Sequence, residues 1–192
     1  DGLEFRSIGP ALMSGRISDI AIHPEDENTW YLAVGSGNVW KTENAGVTWT
    51  PIFDDQGSYS IGCVSIDPNN PNIVWVGTGE DLGGRHFGYG DGIYRSEDEG
   101  YSWIQSLGGL DRSFAGSLAV LPGAPDSLVL SIARHAPGEI GAIFRSANGG
   151  VSWSRLMLES EDEWEHIPCV TRPWDWEDLV FIAAEDKLYA SH

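Results

Sequence analysis

The chain of 192 residues carries 29 acidic against 11 basic side chains, a formal net charge of −18, with 24 glycines and 11% aromatic residues. That balance excludes a nucleic-acid partner, since phosphate recognition needs a basic face; it suits a cationic ligand, a basic protein surface or plain solubility. No apolar run reaches the ~18 residues of a membrane helix and no signal peptide is expected, while Cys63 and Cys169, with no CxxC pair, read as two packed free thiols rather than a disulfide or zinc framework.

In chain order, the predicted elements form a repeat. An apolar strand at 20–24 ends at Pro24, a second buried run covers 30–34, and a third at 39–41 leads into the octet Thr42-Glu43-Asn44-Ala45-Gly46-Val47-Thr48-Trp49. The same series follows at 64–68, 73–76 and 93–95, closing in Ser96-Glu97-Asp98-Glu99-Gly100-Tyr101-Ser102-Trp103. It returns at 118–122, 128–132 and 143–145, closing in Ser146-Ala147-Asn148-Gly149-Gly150-Val151-Ser152-Trp153. A fourth copy runs through 169–173, 179–182 and 187–192 and stops where its octet would begin.

The shared pattern is [ST]-x-[DN]-x-G-x-x-W, and each part has a mechanical role. Asn44, Asp98 and Asn148 can bond backbone N–H groups and fold the turn on itself. Gly46, Gly100 and Gly150 meet a need for positive φ. Trp49, Trp103 and Trp153 open a fourth strand and staple the turn to the outside of the sheet. Four short antiparallel strands per ~50 residues make a propeller blade.

At these octets the chain resembles the Asp-box (BNR-repeat) proteins, which include sialidases, the sortilin (VPS10) propeller, xyloglucan-degrading hydrolases and many short BNR proteins. The first half is similar to secreted VPS10-like bacterial propellers, through 5–10, 14–17 and 72–80. The second half resembles short BNR proteins of the photosystem-assembly-factor type, around 164–170. The expected fold is all-β: a β-propeller of four-stranded antiparallel blades with Asp-box turns, four blades closed by the N-terminal strand. It is a single domain over 1–192, with blade 1 at about 15–53, blade 2 at about 58–107 and blade 3 at about 113–158. Blade 4 takes about 166–192 plus 1–8, with Phe5 standing in the tryptophan's place. Closure would remove an exposed sheet edge. An open piece of a larger propeller and two chains forming an eight-bladed ring are the alternatives.

Function is expected on loops joining the second and third strands of a blade and on loops between blades. The insertion at 80–91 departs most from the repeat, and Glu80, Asp81, Arg85, His86 and Asp91, joined by Arg134 and His135 in blade 3, are the candidate ligand-binding residues. Its glycines make no phosphate loop, because no helix and no Gly-Lys-[ST] follow. His86, His135 and His166 sit on separate loops without ligand-like spacing, so no metal is expected.

A glycosidase needs a pair of carboxylates, and Asp54, Asp55, Glu80, Asp81, Asp91, Asp111, Glu159, Glu161, Asp162 and Glu163 are so many that a pair proves little. Sialidase chemistry would by resemblance require three arginines, for which Arg16, Arg112 and Arg134 could serve, but the family's opening motif is absent. Trp174 and Trp176, set among acids, read as turn residues packed on the blade or as a contact surface.

The expected function is therefore a non-catalytic binding or scaffolding module for a protein or glycan, with no catalytic residue and no cofactor, and with a monomer favoured over a dimer. A glycoside hydrolase domain or fragment is the alternative, and a purely structural or engineered propeller the third. Resemblance implies a secreted, extracellular or periplasmic location.

Overall fold

The computed structural model describes residues 16–79, 88–106, 110, 114–134, 141–156, 169–171, 180–184 and 187–191. These residues form fifteen strands and no helix. Sheet 1 has the order β1(Ile17–Ile22), β2(Trp30–Val34), β3(Val39–Thr42), β4(Thr50–Pro51). Sheet 2 follows as β5(Ile61–Ile66), β6(Val74–Thr78), β7(Ile93–Ser96), β8(Ile104–Ser106), and sheet 3 as β9(Phe114–Leu121), β10(Ala124–Arg134), β11(Ala142–Ser146), β12(Ser154–Leu156). The fourth sheet has three strands among the described residues, β13(Cys169–Thr171), β14(Val180–Ala184) and β15(Lys187–Ser191). Every pair is antiparallel and sequential, as the strand–turn–strand pattern predicts.

The first strands β1, β5, β9 and β13 pack in succession, β1 on β5, β5 on β9 and β9 on β13. Polar ties fix this inner row. Ser18 Oγ donates to the Ile61 carbonyl at 2.8 Å, and Asp19 Oδ2 accepts the Val64 N–H at 3.1 Å. Val170 N–H donates to Ser117 Oγ at 2.6 Å. Gly62 permits the approach of β9: a Cβ there would lie 1.9 Å from the Ala115 carbonyl oxygen. The inner strands begin earlier than the apolar pattern predicts, at Ile17, Ile61 and Phe114. Register shifts at Ile17/Asp19 and Ile61/Cys63 break the period-2 alternation there, which hides these residues from pattern reading. β10 also starts before its predicted run, because Leu121 and Ala124 pair across a turn at Gly123 with φ +68.

Side-chain rows cross each sheet in register. Val64, Val76 and Tyr94 align across sheet 2, and Leu118, Leu130 and Phe144 across sheet 3. The sheet 2 row packs on Tyr31, Ala33 and Val39 of sheet 1, with Phe53. The sheet 3 row packs on Cys63, Trp75 and Ile93 of sheet 2, with Leu110. A smaller cluster joins Ala119, Val129 and Ile143 to Val170. Each fully buried aliphatic side chain contributes roughly 1.5–3 kcal/mol, so these inter-sheet seams are the chief source of stability. The matching row of sheet 1, Ile20, Leu32 and Trp40, has a different fate. Ile20 is 51% exposed where its counterparts Val64 and Leu118 are 4% and 7%. The apolar reading of sheet 1 is thus that of an inner sheet, with one face left open.

Cys63 is buried as expected and carries a free thiol. Burial, and then the nearby Asp19, push its pKa up, so it stays protonated at neutral pH. The proposed closing strand at residues 1–8 lies outside the described residues, as does Phe5.

Candidate functional site

The three octets form one turn three times, at the end of the sheets opposite the 35–38 turn. Thr42 Oγ1, Ser96 Oγ and Ser146 Oγ accept the N–H groups of Gly46, Gly100 and Gly150 at 2.9, 2.8 and 2.9 Å. Asn44, Asp98 and Asn148 Oδ1 accept the N–H groups of Thr48, Ser102 and Ser152 at 2.8, 2.7 and 3.0 Å. The glycines have φ +87, +94 and +79, where a Cβ is strained. Hydrogen bonds from Ser102 hold the Asp98 carboxyl below the usual carboxylate range.

The tryptophans divide. Trp103 Nε1 donates to the Ile52 carbonyl at 2.8 Å and Trp153 Nε1 to Ser106 Oγ at 3.1 Å, each reaching the preceding sheet. Trp49, with no preceding sheet among the described residues, bonds its own Gly46 carbonyl at 3.1 Å.

Three described segments meet at the opposite end. The 35–38 turn, the 53–60 linker and the close of the long loop meet around two serines. Gly37 and Asn38 N–H groups donate to the Tyr59 carbonyl at 3.1 and 2.9 Å, and Ser60 Oγ donates to the Gly35 carbonyl at 2.7 Å. Gly79 N–H reaches the Ser60 carbonyl at 2.7 Å, and Ser58 Oγ the Tyr89 carbonyl at 2.9 Å. On this locked backbone stand two tyrosines, Tyr59 and Tyr89, 61% and 62% exposed. The Tyr89 ring leans on Phe114, centroids 5.8 Å apart.

Asn38 Nδ2 donates to Asp54 Oδ1 at 2.9 Å, which fixes the amide's orientation and leaves its Oδ1 a buried acceptor without a partner. Asp54 and Asp55 are exposed. Neither tyrosine was among the residues chosen from sequence. The signal for them was an aromatic set between small residues, Gly57-Ser58-Tyr59-Ser60 and Gly88-Tyr89-Gly90.

Of the seven sequence-selected ligand residues, Asp91 alone has its side chain described. Its Oδ2 accepts the Tyr94 hydroxyl at 2.6 Å, and its N–H donates to Thr78 Oγ1 at 2.9 Å. Burial first, then Asp91, raise the Tyr94 pKa, so the phenol remains the donor. Asp91 thereby latches the end of the long loop to sheet 2. Arg134 ends β10, but its side chain lies outside the described residues, as do Glu80, Asp81, Arg85, His86 and His135. Asp111, Arg112, the acids at 159–163, His166, Trp174 and Trp176 lie outside them too. Among the described residues no three His, Cys, Asp or Glu side chains group to hold a metal ion. No helix among them is long and apolar enough to cross a membrane.

No family model matches the chain. Among curated proteins, xyloglucanase Xgh74A of Acetivibrio thermocellus is 24% identical over 154 residues, which is 74% of this chain and 18% of the relative. Among solved structures, an ancestral GH74 enzyme superposes with a TM-score of 0.66 at 17% identity, over 92% of this chain and 24% of its own. YCF48 from Cyanidioschyzon merolae gives a TM-score of 0.57 at 19% identity, over 94% of this chain and 57% of its own. The chain thus spans less than a fifth of the length of the curated relative, 18%. Likeness at these identities fixes the fold alone: an all-β, propeller-type arrangement of antiparallel sheets.

Proposed function

We propose that this propeller is a carbohydrate-binding module that holds a neutral glucan on its loop end, with Tyr59 and Tyr89 as stacking platforms. The observation that carries this reading is the pair of exposed tyrosines on a backbone already locked by Ser58 and Ser60, so that little ordering entropy opposes binding. A net charge of −18 disfavours acidic glycans. The same reading takes the octets as Asp boxes, the sheets as four blades and the location as extracellular. In it the open face of sheet 1 is covered by a further sheet, through closure by the chain's own ends or by another blade.

Calorimetric titration with xyloglucan and cello-oligosaccharides tests the proposal. Tyr59→Ala and Tyr89→Ala should each weaken binding by about 3- to 10-fold, as loss of one aromatic contact implies, and the double variant should weaken it further. Unchanged affinity in the double variant would remove this site.

A second reading, hydrolysis, is favoured by the likeness to a xyloglucanase. Asp54 and Asp55 are the exposed acids at the described loop end, while Asp91 is engaged by Tyr94. New reducing ends released from xyloglucan by the wild-type chain would favour that reading over simple binding.

A further inference from the structure

Sheets 1 and 2 use the same two outer positions with different contents. Tyr31 on β2 pairs with Lys41 on β3, and Trp75 on β6 pairs with Arg95 on β7. Each pair faces the octet turn of the following sheet. For sheet 1 the fit is complete: Lys41 Nζ lies 2.9 Å from Glu99 Oε2, and the Tyr31 hydroxyl donates to the Glu99 carbonyl at 3.1 Å. Lys41 also holds Glu43 at 3.1 Å, so one ammonium, 5% exposed, meets two carboxylates. Burial opposes its charge, but Glu99, Tyr31 and Glu43 outweigh burial and raise its pKa.

At the next seam half of that set is missing. Arg95 keeps the counterpart of Glu43, since Glu97 binds its Nη1. Its guanidinium lies over the Trp75 ring, 5.6 Å from the centroid. The repeat position of Glu99, however, is Gly149, and that of Tyr101 is Val151. A cleft of about 280 Å³ takes the place of the missing side chains, walled by Trp75, Arg95, Ile104, Gln105, Gly149 and Val151. Two of these lining residues each carry a buried donor without a partner, Trp75 Nε1 and Arg95 Nε. Trp75 is 1% exposed, so bulk solvent does not serve it directly.

We propose that this cleft binds a small organic carboxylate, which supplies against Arg95 Nε the charge that Glu99 supplies against Lys41, and which accepts from the Trp75 indole N–H. An anion restores the second carboxylate of the complete seam. The apolar surfaces of Ile104 and Val151 select an acid with a carbon body over a bare inorganic ion. The chain's net charge of −18 repels anions at long range. Screening over about 8 Å at physiological ionic strength leaves the local pair in control.

The test follows the Trp75 indole N–H by nuclear magnetic resonance, assigned through Trp75→Phe, during titration with butyrate and D-glucuronate and with their neutral analogues butanamide and D-glucose. At least one acid should shift that signal saturably, with its neutral analogue at least tenfold weaker. Gly149→Glu places a carboxylate in the cleft from within, since φ +64 there is close to the φ 58 of Glu99; it should abolish the titration, while Gly149→Ala keeps it. Arg95→Gln should weaken binding at least tenfold, and it decides the matter if Gly149→Glu does not fold. Silence with both acids, equal shifts from the neutral analogues, or Arg95→Gln titrating like the wild type would overturn the proposal.

Discussion

Replacing the three octet glycines by alanine, one at a time, separates backbone strain from inter-sheet packing. All three have φ between +79 and +94, so each alanine incurs about 1–2 kcal/mol of left-handed strain. The added Cβ meets three different surroundings. At Gly46 its nearest neighbour is Trp30 Cζ3 at 3.5 Å, ordinary contact within its own sheet. At Gly100 it lies 2.6 Å from Ile52 Cδ1, the end of a side chain that can rotate. At Gly150 it lies 2.7 Å and 2.8 Å from Trp75 Cη2 and Cζ3, a ring held rigid at 1% exposure. Overpacking of this kind adds about 1–3 kcal/mol.

The expected order is therefore Gly46→Ala least, Gly100→Ala intermediate and Gly150→Ala most destabilising, spanning about 1 to 5 kcal/mol. Denaturant unfolding followed by two probes gives the differences, provided the slopes agree between variants. On heating, each kcal/mol should lower Tm by about 2–4 °C for a chain of this size. Equal costs at all three sites would refute the packing argument. A cost at Gly46 matching Gly150 would show instead that a further sheet covers sheet 1 in solution.

Asp98→Asn should fold normally, because Asn44 and Asn148 hold the same place in the other two turns. The Asp98 pKa is depressed in the folded chain, so its contribution is present above the ordinary carboxylate value of about 3.9 and lost as pH falls through the lower folded value. The wild type should thus lose stability relative to Asp98→Asn on acidification, and parallel acid-unfolding curves would contradict this. At the sheet 1–2 seam, Glu99→Ala should destabilise by about 1–2 kcal/mol, a modest sum because Glu99 is 37% exposed and Glu43 stays on Lys41. Lys41→Met in that background should recover most of the loss. A double-mutant cycle with no coupling would refute the pair as a unit.

Much of this architecture was legible in the sequence because local chemistry and the repeat agree. Gly46, Gly100 and Gly150 demand positive φ, Thr42, Ser96 and Ser146 cap their turns, and a proline follows each of the first three inner strands. Those are contacts within a few residues, so repetition alone exposes them. The loop end was legible only in outline. Its grouping follows from strand direction, but Tyr59 and Tyr89 become a surface through bonds from Ser58 and Ser60 to distant carbonyls, which no periodicity encodes. Asp91, a candidate ligand residue in the sequence, is also bonded by Tyr94 three residues on and by Thr78 across the hairpin, and only the second of these contacts needs the fold.

The open face of sheet 1 and the cleft beside Arg95 belong wholly to the tertiary level. Ile20 reads in sequence like Val64 and Leu118, and Gly149 like any turn residue. Their difference arises only when sheets stack, since a side chain's partner in a seam comes from the neighbouring repeat and not from its own.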